Sequence, residues 1–136
     1  MILLASGTGF APIKAIVEHI KFKNSQRHAV LYWGCRSQAD LYLHAWALEA
    51  AASMPNLTYI PVLSEPKPED AWTGRTGLVH QAVLHDHPNL MNHQVYACGA
   101  PIMVESAQKD FVQKSGLPDD EFYADSFTSE ADKHGA

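Results

Sequence analysis

Ser6-Gly7-Thr8-Gly9-Phe10-Ala11-Pro12 has the residue types and spacing to hold an anion. Glycine lets backbone N–H groups approach a ligand closely, and a helix N-terminus favours negative charge, so a Gly-Thr-Gly loop entering a helix suits phosphate. The flanks agree with that setting. Met1 to Ala5 is an apolar run of strand length, and Ile13, Ile16, Val17 and Ile20 recur at the i, i+3, i+4, i+7 spacing of a helix face. Pro12 fits the first helical turn, where a missing N–H costs nothing. Two familiar fingerprints are not met. The G-x-G-x-x-G pattern would need glycine where Pro12 stands, and the P-loop would need a following Gly-Lys-Ser/Thr. Read alone, the loop is either a phosphate cradle or a tight turn.

Other candidates stand further along. Arg36, in Gly34-Cys35-Arg36-Ser37, has the planar fork that binds two phosphate oxygens, and the alternative is a solvated surface arginine. Cys98, in Cys98-Gly99-Ala100-Pro101, is not a phosphatase nucleophile, because Val104 occupies the place of the required arginine. Eight histidines invite a metal reading, above all His80, His85, His87 and His93. No cysteine or acidic partner stands at a recognised ligand spacing, so these read as solvated loop histidines and no metal is expected.

The elements that must position these residues alternate. A second strand spans His28–Gly34, and Asp40 is placed to cap a helix carrying Leu43, Ala47 and Ala50 with Trp46 beside them. Leu57–Leu63 is a third strand, at a sheet edge because Pro61 cannot donate to a ladder. A polar loop runs from Ser64 to Thr76, and Thr76 caps a short helix holding Val79, Val83 and Leu84. His93–Cys98 is a fourth strand, and Pro101 opens a helix with Met103, Val104, Ala107 and Phe111 on one face. Gly116 and Pro118 stop that helix. Glu121–Asp125 is a fifth strand, followed by a polar tail.

The whole chain bounds what these elements can be. Its 136 residues make one domain with a real core, 46% of them hydrophobic. A net charge of -5 without a basic cluster argues against nucleic acid as partner. No apolar run approaches the roughly 18 residues of a membrane span, and no leader is visible. Two distant cysteines suit a reduced, cytoplasmic compartment. Repeated strand–helix alternation predicts an α/β fold, a parallel sheet with helices on both faces. Such sheets bind ligands at the carboxyl ends of their strands. Those ends are Gly7-Thr8-Gly9, Gly34 to Ser37, Ser64-Glu65, Cys98 to Pro101 and Asp125-Ser126-Phe127, where the distinctive residues gather. That coincidence favours a nucleotide crevice over a mere turn.

With Tyr32-Trp33-Gly34-Cys35-Arg36-Ser37 and Phe122-Tyr123-Ala124-Asp125-Ser126-Phe127 added, these motifs resemble the pyridine-nucleotide module of the ferredoxin–NADP reductase superfamily. The similarity is greatest to bacterial reductases of the oxygenase-reductase and CDP-6-deoxy-glucoseen reductase type, and runs from Ile2 to about Ser129. It implies a Rossmann-like five-stranded sheet ordered 3-2-1-4-5, residues 130–136 forming a tail. It implies an NAD(P)H-dependent oxidoreductase in which NAD(P)H lies across the strand ends and passes hydride to FAD. Gly7, Thr8, Gly9 and Pro12 match the pyrophosphate loop, with Gly34, Arg36, Gly99 and Pro101 along the same crevice. Cys98 matches the cysteine beside the nicotinamide, with a small buried filler as its alternative. Phe127 matches the aromatic that covers the flavin and Asp125 the nearby acid, with tail packing as the alternative for both.

The family's Arg-x-Tyr-Ser flavin barrel and its iron–sulfur cysteines are not found in this sequence. The expectation is therefore half of a reductase (a truncation, an excised domain or a subunit) that binds no FAD itself. Its partner would be a flavin domain, with an iron–sulfur domain or protein as a possible acceptor. NADP-dependent relatives end the third strand in Ser-Arg, whereas Ser64-Glu65 stands here, which favours NADH. Lys67 could partly offset Glu65. A second function class stays open: a non-catalytic interaction module on the old nucleotide fold.

Overall fold

Every residue from Ile2 to Ala5 is buried, and this burial on both faces sets the architecture. The computed structural model describes residues 1–126. Successive side chains of a strand point to opposite faces, so a strand buried on both must lie between two layers of helices. Ile2–Ser6 (β1) is central. The chain continues through Phe10–Phe22 (α1), Ala29–Cys35 (β2), His44–Ser53 (α2), Leu57–Leu63 (β3), Arg75–Thr76 (β4), Val79–Asp86 (α3), Val95–Gly99 (β5), Pro101–Ser115 (α4) and Phe122–Ser126 (β6). All neighbours are parallel, in the order β4-β3-β2-β1-β5-β6.

The expected five strands keep their order as β3-β2-β1-β5-β6, but the sheet has six. The sixth is β4, a two-residue strand inside the supposed polar loop that pairs Arg75 with Val62 and Thr76 with Leu63. Thr76 is therefore a strand residue, and Leu78 takes the N-cap position of α3. Pro61 sits just before the pairing begins, so β3 is an edge only up to that proline. Asp40 does not cap α2 either. It closes a 3-10 turn over Gln38–Asp40, accepting from the Ser37 N–H and hydroxyl at 3.3 Å each.

Leu3 and Ala5 face one layer, where Phe10, Ile13, Val17 and Ile20 of α1 pack with Ala47 and Ala50 of α2. Ile2 and Leu4 face the other, formed by Val79 and Val83 of α3 and Val104, Ala107 and Phe111 of α4. Phe10 and Trp33 stack at 3.9 Å between ring centroids, with Trp46 edge-on to Phe10. Both stacked rings are fully buried, and truncating either to alanine would cost about 3–5 kcal/mol. On the opposite layer the Tyr32 hydroxyl donates to Asp86 at 2.7 Å, and Arg75 donates to the same oxygen at 2.9 Å. Burial would raise the Asp86 carboxyl, but these two hydrogen bonds hold it below the usual carboxylate range. The pair ties β4 to the far end of α3. Gly116 ends α4 in the left-handed region at φ 70°.

Candidate functional site

The carboxyl ends of the strands open into one cleft of about 1060 Å³, the size of a large small-molecule site. Its floor is the tip of β1. Gly7 has φ 53°, a left-handed conformation that glycine adopts without strain, and a Cβ there would meet nothing within 4 Å. A side chain at Gly7 would project into open space on the cleft wall. Gly9 is glycine for a different reason: a Cβ would collide with the Cys98 carbonyl and the Gly99 Cα, so α1 and β5 touch backbone to backbone. A Cβ on Gly34 would lie 2.5 Å from that of Val79, which holds β2 against α3. Gly99 presses on Ser6, whose hydroxyl accepts from the Ala100 N–H at 3.1 Å.

Three helices begin at this cleft: α3 at Val79 lines its wall, and α1 after Gly9 and α4 at Pro101 flank the tip of β1. Neither α1 nor α4 has an acidic residue in its first turn. Their N-termini supply backbone donors and positive dipole ends to the same space. Arg36 is exposed on the wall from β2, and Ser64 lies opposite at the end of β3. The main chain joins them: Ser64 N–H donates to the Cys35 carbonyl at 2.9 Å and Glu65 N–H to the Arg36 carbonyl at 2.8 Å. Burial pushes the Cys35 thiol up to about 11, although the Gly7 backbone hydrogen bond works against the rise, so it stays protonated at neutral pH.

The structure brings Gly7, Thr8, Gly34, Arg36, Ser64, Gly99 and Pro101 together on the cleft. Gly9 is buried just beneath it, in the contact that seats α1, and Pro12 is half-buried further into that helix. Cys98 is 2% exposed, packs with the α1 and α2 layer, and has its carbonyl against Gly9. Glu65 is exposed next to Ser64. Asp125 pairs in register with Cys98 on β6. Phe127 lies outside the described residues.

The remaining wall escaped the sequence reading. Tyr42, Leu78, Ile102 and Met103 give it an apolar character, and Tyr42 stands edge-on to Trp33 at 5.3 Å. His80 also lines it, and the solvated-loop reading of the histidines is corrected for three of the four. His80 is buried on α3, 3.5 Å from Asp110 of α4, and burial lowers its pKa despite that carboxylate. His87 and His93 are half-buried with ring centroids 5.5 Å apart, and His93 Nδ1 is buried without a hydrogen-bond partner. Of the four, only His85 is exposed. The signal for His80 was its place beside Val79, three residues before Val83 on the apolar face of a helix. Among the described residues no three His, Cys, Asp or Glu side chains could hold a metal ion, and no helix is long and apolar enough to cross a membrane.

Comparison with known proteins agrees with this geometry. Residues 3–109 match the oxidoreductase NAD-binding domain family. The chain is 44% identical over 127 residues to the CDP-6-deoxy-L-threo-D-glycero-4-hexulose-3-dehydrase reductase of Yersinia pestis, covering 93% of this chain and 37% of that protein. It is 33% identical over 127 residues to the NAD(P)H-flavin reductase of Vibrio harveyi, covering 93% of this chain and 53% of that protein. The crystal structure of the Amycolatopsis cytochrome P450 reductase GcoB superposes with a TM-score of 0.82 at 32% identity, over 94% of this chain and 37% of that one. The chain thus spans a little over a third of the first of these relatives. With the glycine loop, the two helix N-termini and the cleft in the places this fold requires, the chain belongs to the oxidoreductase NAD-binding domain family of the ferredoxin–NADP reductase superfamily.

Proposed function

We propose that this chain is a single NAD(P)-binding domain that binds NADH across its strand ends and presents the nicotinamide to FAD held by a separate flavin domain. The observation that supports it most is the convergence of the Gly7–Gly9 turn with two helix N-termini that have no first-turn acid. The pyrophosphate would sit at that point, with Thr8 and the start of α1 as donors and Arg36 as the cation of the wall. Gly99, Pro101 and the apolar Ile102 and Met103 would receive the nicotinamide end beside Cys98, with Asp125 and Phe127 as the residues that would meet the flavin. Ser64 and Glu65 would meet the adenosine ribose. The bound nicotinamide supplies the hydride. The protein's own part is to orient the ring, keep water from its face and hold the charged pyrophosphate in place.

The final acceptor would be an iron–sulfur domain or protein, and the compartment the cytoplasm. Support for NADH over NADPH comes from the cations. Arg75 is engaged by Asp86 and does not line the cleft, and a carboxylate stands at Glu65 where arginine would suit a 2′-phosphate. Titration calorimetry of the purified chain with NADH and ADP-ribose tests the reading. Saturable one-to-one binding of both is expected. No heat with either would leave the interaction-module alternative in its place.

A further inference from the structure

One side chain of β2 holds the Gly7 peptide: the Trp33 indole N–H donates to the Gly7 carbonyl at 3.0 Å. Trp33 is fully buried and fixed by its stack on Phe10, the first residue of α1. No side chain caps the Gly7–Gly9 turn, and the Ser6 hydroxyl accepts from the Ala100 N–H instead. Beyond the backbone bonds of the 3-10 turn itself, the group that holds the Gly7 carbonyl is the indole brought to it from β2.

We propose that Trp33 is the positioning residue of the anion loop: its N–H sets which way the Gly7–Thr8 peptide faces. This inference rests on the proposed dinucleotide reading of the cleft. In a trans peptide the carbonyl of one residue and the N–H of the next point to opposite sides, and no cis bond occurs among the described residues. With the Gly7 carbonyl turned down onto the buried indole, the Thr8 N–H is turned up, to the side on which Thr8 lines the cleft. A flipped peptide would offer a carbonyl dipole to the phosphate instead of a donor. Gly7 makes such a flip accessible, because glycine is permissive in φ and nothing crowds its Cβ position. The indole N–H removes that freedom.

The test compares the full chain with Trp33→Phe, which keeps a ring to stack on Phe10 and deletes the donor. Trp46→Phe is the control, since Trp46 also packs on Phe10 but reaches no loop atom with a described hydrogen bond. Calorimetry with ADP-ribose, ADP and adenosine supplies the readout. Trp33→Phe should weaken ADP-ribose and ADP about tenfold, as loss of one oriented donor to a charged group would. Adenosine affinity should stay within about twofold, and Trp46→Phe should change none of the three. Equal loss on all ligands, or unchanged ADP-ribose binding by a folded Trp33→Phe, overturns the inference. Failure of the unmodified chain to bind ADP-ribose at all overturns the dinucleotide reading instead. Should Trp33→Phe not fold, β-(3-benzothienyl)alanine at position 33 keeps the bicyclic shape without the N–H, and the same pattern is required of it.

Discussion

The N–H of Glu65 donates to the carbonyl of Arg36 at 2.8 Å, so the backbones that carry a cation and a carboxylate are joined where β2 and β3 end. Arg36 lines the cleft and Glu65 stands exposed at its rim. A 2′-phosphate placed there would meet the carboxylate, whereas a free 2′-hydroxyl can donate to it. The chain should bind NADH more tightly than NADPH at fixed salt. Glu65→Arg should shift the ratio of dissociation constants toward NADPH by roughly tenfold, because an arginine–phosphate pair takes the place of a repulsion. Tighter NADPH binding by the unmodified chain would refute the preference. An unchanged ratio in the variant would show that Glu65 does not determine it.

Gly9 and Gly7 should fail differently. A methyl group at Gly9 meets the backbone of Cys98 and Gly99, which cannot rotate away, so Gly9→Ala should cost about 1–3 kcal/mol of folding stability as α1 is pushed off β5. At Gly7 there is room, and the cost of about 1–2 kcal/mol comes from the left-handed backbone alone. Urea unfolding measures both. Because only Gly7 projects into the cleft, Gly7→Ala should also weaken ADP-ribose in the folded protein. A neutral Gly9→Ala would sink the close-contact account.

Stability should fall on mild acidification. His80, His87 and His93 all have pKa values below the ordinary 6.5, with burial as the main cause. A depressed folded-state pKa means that the unfolded chain binds more protons between the two values. The contribution is therefore full above 6.5 and is lost as pH drops toward the folded values. Denaturant midpoints at about pH 7.5 and about pH 5.5 should differ in that direction. His93→Phe, which removes the orphaned Nδ1, should reduce the dependence and leave the part that His80 and His87 contribute. A midpoint that rises on acidification would contradict this.

Cys98 makes a kinetic prediction for a complete reductase containing this domain. Cys98→Ala should slow flavin reduction by as much as about a hundredfold while changing NADH affinity little, because misalignment of a reacting ring acts on rate before binding. Stopped-flow flavin reduction at the unmodified rate would reject the role.

Strand–helix alternation was readable from Ile2 to Phe122 because long apolar runs and helical periods stand between glycines and prolines. The loop Gly7–Gly9 was readable for the same reason. β4 was not: Arg75 and Thr76 are too few to show a period, and only their pairing with Val62 and Leu63 makes them a strand. Residue type marks both Thr76 and Asp40 as caps, yet each sits a few residues short of its helix. Side-chain type suggests a turn without saying which hydrogen bond closes it. Leu78, His80 and Ile102 become cleft residues only when the starts of α3 and α4 meet, a long-range event with no local signature. The bond from Trp33 to Gly7 spans two strands and is equally silent in the sequence.

The central place of β1 has a kinetic meaning. Ile2 pairs with Val30 on one side and with Val95 on the other, so half of this strand's ladder waits for a segment far along the chain, beyond β2, β3 and β4. Closing so large a loop is slow, and until β5 arrives β1 presents an open edge on which another chain could template. The binding floor is made by the tips of β1 and β5, so it is complete only when that last pairing forms. Amide hydrogen exchange at Gly9 and Gly99 should consequently follow whole-domain unfolding rather than local breathing. A partly folded intermediate of this protein would be aggregation-prone and unable to hold nucleotide at the same time.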